Sequence, residues 1–234
     1  MALPKLDSPT YETELPSTGK KIKYRPFLVK EQKILMMAQE SDKQDEMMAS
    51  IGQLINTCTF GEIDAPNSPI FDIEYIFLKI RGKSVGEKVK IMVTCPDDGK
   101  TKVPVNVNLE DINVQMTIGH TNELKISDNI KMVMKYPMLK DVLNSKSTNT
   151  TEQVFDIMEQ CVYEVHDGDK IYQRVDITTK DIRDFVDSFN TEQFKLVTEF
   201  FESMPKLRHV VNVTNPNTKV KNEITIEGLD SFLG

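Results

Sequence analysis

VTCPDDGKTKVPVNVNLED at residues 93–111 and VTNPNTKVKNEITIEGLD at residues 213–230 each place a Pro-bearing polar turn between two alternating apolar runs. The period-two alternation, with turn chemistry at Pro96 to Gly99 and at Asn215-Pro216-Asn217, predicts two antiparallel hairpins. Both share Val-Thr-x-Pro and close on Leu-Glu-Asp or Leu-Asp, a weak internal echo. The first stretch reads like half of a metal-binding knuckle, with Cys95 at the ligand position, where the second has Asn215. A structural zinc needs about four N or S donors, typically a cysteine pair on each knuckle. The pair therefore predicts shape without metal.

Working outward, Tyr11 to Leu15, the turn Pro16 to Gly19 and a return through Ile22 and Tyr24 predict a further hairpin, and a helix follows from Val29 to Gln39. Ser41 with Gln44 makes a capping-box pattern, and Met47, Ile51, Leu54, Ile55 and Cys58 share the face of the helix behind it. Ser68-Pro69 starts a third helix, PIFDIEYIFLKIRG, running to Gly82. Its apolar residues leave almost no polar face, so its own domain or a partner subunit must cover it. Phe71, Tyr75, Phe77 and Leu78 are accordingly candidate partner-binding residues, together with Leu229, Phe232 and Leu233. The last three either dock as one helical turn or are offered to a partner.

A strand from Ile126 to Met134 is expected beside the 93–107 hairpin. LNSKSTNTT, residues 143–151, is polar and free of apolar anchors, which sets a boundary between an N-terminal lobe, 1–142, and a C-terminal lobe, 143–234. Beyond it, Thr150 with Gln153 repeats the capping-box pattern, and Val154, Met158, Cys161 and Val162 share a face. HDGDK at 166–170 predicts a small hairpin, and amphipathic helices follow through Ile182, Phe185, Val186 and Phe189, and through Phe194, Val197, Phe201 and Met204. The fold class is α+β: helices packed with several antiparallel β-hairpins in two lobes.

The 234 residues are enough for a sizeable core, and 39% hydrophobic with 28% charged is an ordinary globular composition. A net charge of −7 argues against broad nucleic-acid contact, and Lys20, Lys21, Lys23 and Arg25 read as the solvated face of a strand. Nothing approaches the run of about 18 apolar residues of a membrane span. The N-terminal stretch is broken by prolines and acids where a secretory signal needs an apolar core. Three widely spaced cysteines, Cys58, Cys95 and Cys161, fit a reducing compartment, which makes the sequons at Asn149 and Asn212 chance matches.

Chemistry is sparse. Cys58 and Cys161 fall on apolar helix faces, which raise a thiol pKa, and His120, His166 and His209 are scattered. Asp167 and Asp169 flank Gly168 but lack the closing Glu of a calcium loop. Gly82-Lys83-Ser84 has Phe77 where a phosphate loop needs its first glycine. The pairs Asp97 with Asp98 and Glu110 with Asp111 read as solvated turn residues, with no apolar setting to part their pKa values. No catalytic residue, cofactor site or metal site is assigned.

Four further blocks are informative: LPSTGKKIKYRPFLVKEQKILMMAQES at 15–41, INTCTFGEID at 55–64, FDIEYIFLKIRGKSVGE at 71–87, and the closing MPKLRHVVNV with ITIEGLDSFL. On these blocks the chain resembles the baseplate protein family of T-even-like contractile-tailed bacteriophages, which includes a baseplate hub subunit and a hub-assembly protein. Some relatives carry fuller cysteine pairs in the two hairpins, and this chain keeps only Cys95. The resemblance implies a late viral protein of the virion tail baseplate, assembled in the host cytoplasm beside other hub subunits and the tape-measure protein. It fits a structural subunit. The competing expectations are an assembly chaperone that leaves the finished tail and an unrecognised hydrolase.

Overall fold

The computed structural model describes residues 6–40, 43–144 and 150–232. Strands β1 (Tyr11–Glu14) and β2 (Lys21–Tyr24) form the first hairpin, with Tyr11 opposite Tyr24. Helices α1 (Val29–Glu40), α2 (Gln44–Cys58) and α3 (Ile70–Val85) follow. Pro69 stands just outside α3 as its N-cap, and Gly86 ends the helix at φ 115°, which L side chains rarely adopt. Next come β3 (Lys88–Thr94), its hairpin partner β4 (Lys102–Asn108) and the short β5 (Asn113–Gln115).

The chain then builds β6 (Glu123–Lys125), β7 (Ile130–Met134), α4 (Leu139–Leu143), α5 (Thr150–Cys161), β8 (Val162–Asp167), β9 (Lys170–Gln173), α6 (Thr179–Asp187) and α7 (Thr191–Ser203). It ends with β10 (Lys206–Thr214), β11 (Lys221–Glu227) and a 3-10 turn at Leu229–Phe232. Small antiparallel sheets with helices packed on them make the α+β class expected from the sequence. The Ser41 cap, the Asn149 sequon and Leu233 lie outside the described residues, as does the side chain of Thr150.

Two compact units result, residues 1–115 with 206–234, and residues 116–205. This corrects the boundary expected at 142/143. The polar run at 143–151 lies within one unit, and the true crossings occur where β5 hands the chain over and β10 takes it back. Gln115 pairs with Lys206 and Leu207 with Val114, so the second unit is inserted between paired strands of the first. The strand expected beside the 93–107 hairpin is β7, and it belongs instead to the β6-β7-β8-β9 sheet. Its buried Met132 and Met134 join Met158, Cys161, Val162 and Phe200 in the inserted unit's core.

Three hairpins close on one turn. Leu15 N–H donates to Lys20 O at 2.9 Å, and Gly19 N–H donates back to Leu15 O at 2.8 Å. Asn215 repeats this with Val220 and Lys219, both at 2.9 Å, and Cys95 does so with Thr101 and Gly99 in a turn one residue longer. Each turn carries Pro second and needs a left-handed residue, met by Gly19 at φ 68°, Gly99 at φ 65° and Lys219 at φ 64°. The residue that opens each turn, Leu15, Cys95 or Asn215, is buried.

Candidate functional site

Around Cys95 the structure builds a clamp of hydrogen bonds. Asn215 Nδ2 donates to both Asp97 carboxylate oxygens at 3.0 and 3.1 Å, Asn222 Nδ2 donates at 2.9 Å, and Thr218 Oγ1 makes a further short contact. These donors, Asn215 first, hold the Asp97 carboxyl below the usual range. Asn217 Nδ2 adds a bond to Thr101 Oγ1 at 2.9 Å. The echoing hairpins therefore meet tip to tip through Asp97, which the sequence presented only as a solvated turn residue. Asp98 is occupied within its own turn by Thr101 and Lys100. Burial pushes the Cys95 thiol up, and among the described residues no three His, Cys, Asp or Glu side chains gather as a metal group.

The other titratable groups of this unit are tied in the same way. The Glu110 carboxylate takes Lys79 Nζ at 3.2 Å and Lys83 Nζ at 3.1 Å. Burial raises the Glu31 carboxyl, but the Arg25 guanidinium at 2.9 Å and the Leu28 N–H at 2.7 Å outweigh it and hold the group low. Burial raises Asp72, which accepts from Ser17 N at 3.0 Å and from the Ser17 hydroxyl and so seats the β1-β2 turn on α3. Cys58 and Cys161 are pushed up by burial to about 11 and about 12, the direction expected of thiols on core faces.

Of the candidate partner-binding residues, Phe71, Phe77, Leu78, Leu229 and Phe232 are buried inside the chain's own unit. Tyr75 is half-buried, its hydroxyl 3.1 Å from Thr13 Oγ1. The closing turn docks on α3, with Leu229 N–H donating to Glu74 Oε1 at 3.2 Å. The apolar excess of α3 is thus spent on the intramolecular core.

Exposed apolar surface lies elsewhere. On α1, Glu31 and Ala38 face inward, whereas Val29 is 80% exposed, Met36 55% and Met37 61%. Leu28 and Ile34 are exposed beside them. A helical projection puts Val29 and Met36, seven residues apart, opposite the buried pair. Sequence periodicity located this helix but passed over the surface. The available signal was the run Ile34-Leu35-Met36-Met37, too wide for one buried stripe.

In the inserted unit, His120 packs against Phe200 at 5.3 Å and Tyr136 at 5.7 Å between ring centroids. Ser203 Oγ donates to Glu199 O at 2.6 Å, so it accepts from His120 Nδ1 at 2.9 Å. That leaves Nε2 unprotonated, buried and without a partner among the described residues, and burial lowers the His120 pKa. His120, one of the three scattered histidines, is half-buried in the loop before β6.

The family model described as T4 bacteriophage base plate protein matches residues 8–234. No curated protein and no solved structure matches the chain.

Proposed function

The chain belongs to the T4 bacteriophage base plate protein family, and from that premise we propose a non-catalytic structural subunit of the tail's central hub that acts through protein–protein contacts. Baseplate membership itself implies a multi-subunit assembly at the distal end of the virion tail. The finer reading names other hub subunits as neighbours, with the tape-measure protein as a further contact and assembly in the host cytoplasm.

The observation that carries this reading is the outward face of α1. Val29, Met36 and Met37 are large, apolar and exposed, and permanent interfaces bury surface of this kind. The carboxylates of the Cys95 hairpin and of the Glu110 and Glu31 sites are engaged in structural ties, which supports a non-catalytic role. Exposed methionines also suit adaptable, transient binding, so the second reading is a hub-assembly chaperone that is not retained. Quantitative mass spectrometry of purified tails separates the two. A fixed stoichiometry supports the subunit, and presence in infected cells with absence from tails replaces it by the chaperone.

A further inference from the structure

The inserted unit contains a recessed surface that the hub reading does not use. A cavity of about 300 Å³ opens between the sheet and α6. Its walls are Ile130 of β7, Val165 of β8 and Tyr172 of β9 on one side, with Ile182 and Phe185 of α6 on the other. Ile177, in the turn between β9 and α6, completes the apolar lining. Among the described residues, the only charged side chains lining the cavity are two carboxylates, Asp167 and Asp181.

Both carboxylates retain acceptor capacity. Asp167 ends β8 at the Gly168 turn, and its side chain has no partner among the described residues. Asp181 is fixed by a capping box in which Thr178 N and Oγ1 donate to Oδ2 at 2.9 and 2.6 Å. Its Oδ1 accepts nothing among the described residues. That cap holds the Asp181 carboxyl below the usual range, so the site is anionic at neutral pH. Tyr172 already attracts a cation of the chain's own, with Lys170 Nζ 4.3 Å from its ring centroid.

We propose that this cavity is a docking pocket for an arginine side chain presented by a partner protein. The methylene stem would lie on Ile130, Ile177 and Ile182, and the planar guanidinium would meet the aromatic rings and the two carboxylates. Charge complementarity selects a cation. The two rings favour guanidinium over the more strongly hydrated ammonium. The turn that carries the lining Ile177 extends the apolar surface through Val175, which is 86% exposed. A protein surface covers that extension, whereas a small solute leaves it bare. The assignment rests on the reading of the chain as a subunit that works through protein contacts, and it adds the chemistry of one partner side chain.

The test is an NMR titration of the full chain, methyl-labelled at isoleucine, with n-butylguanidinium, valerate and spermidine as probes. The expected result is a saturable shift of the Ile130, Ile177 and Ile182 methyls with n-butylguanidinium and none with valerate. Asp167→Asn, at an exposed hairpin end that leaves the fold intact, weakens the guanidinium effect by at least about threefold. Tyr172→Leu, which keeps the lining apolar, weakens it as well. Equal shifts with valerate, no saturable shift at these methyls, or tighter binding of spermidine would each overturn the proposal. Because the isolated chain is used, a negative result leaves the baseplate reading standing, whereas absence from tails leaves the titration result standing.

Discussion

Helices α3 and α1 are both rich in large apolar residues, and they differ in what covers them. Around α3 the chain supplies its own cover, with the closing 3-10 turn packed on the helix through Leu229 and the β1-β2 turn held by Asp72. Around α1 only one face is covered, and Val29, Met36 and Met37 remain outside. Hydrophobicity in the sequence therefore marks two different things here, a covered core and an exposed apolar face. Which helix is which depends on residues 55 and 155 positions away in the chain.

Substitutions separate the two helices, and the largest effect belongs to α3. Phe77→Ala removes a ring buried in the first unit and is expected to cost about 3–5 kcal/mol, read as a loss of unfolding free energy in denaturant titration. A loss below about 1 kcal/mol would mean that α3 is not the centre of that core.

The hairpin clamp comes next. Asn215 is fully buried, donates to Asp97, and accepts from Asn217 N at 2.9 Å. Asn215→Ala is expected to cost about 1–3 kcal/mol, because the backbone donors of its turn lose their acceptor. Adding zinc should restore none of it, and a zinc-dependent recovery of the melting temperature would show that a metal belongs between the hairpins after all.

The inserted unit supplies a pH test. His120 has a folded-state pKa below its unfolded value, so the unfolded chain takes up the proton more readily. Its contribution is present above the unfolded pKa of about 6.5 and is lost progressively as pH falls below that value and through the lower folded one. Thermal melts from about pH 7.5 down to about pH 5.5 should show falling stability, and His120→Phe, which keeps an aromatic ring beside Phe200 and Tyr136, should flatten the slope. An unchanged slope would remove His120 as its cause.

The smallest expected change in stability lies on α1. Met36→Ser with Met37→Ser should alter unfolding free energy by no more than about 0.5 kcal/mol per site, since neither side chain is buried. A much larger loss would make α1 a second α3 and erase the contrast.

Local chemistry was legible in the sequence. The Pro-bearing turns placed the hairpins, and the apolar spacings placed α1, α2, α3, α6 and α7 close to their observed bounds. What escaped was long-range. The insertion at 116–205 depends on β5 pairing with β10, some ninety residues on, and nothing in a three-residue strand announces its partner. The polar run at 143–151 falls inside the second unit, and composition cannot distinguish a polar break within a unit from a linker between units. Asp97 looked solvated because its partners Asn215, Thr218 and Asn222 lie in another hairpin. The echo between the hairpins was visible, but its purpose required their meeting. The third copy of the turn, at Leu15, passed unnoticed because Leu15 resembles neither Cys95 nor Asn215 chemically, although all three are buried at the same place in the turn.

The central claim, that the chain acts by burying the outward face of α1 against neighbours in the baseplate, is met most directly by measuring incorporation of a Met36→Asp, Met37→Asp double variant. Tails purified from phage carrying it would be compared by quantitative mass spectrometry with tails carrying the unsubstituted chain, after equal folding of the two proteins is verified by circular dichroism. The account predicts stoichiometric incorporation of the unsubstituted chain and loss of the variant. Equal incorporation of both would contradict it.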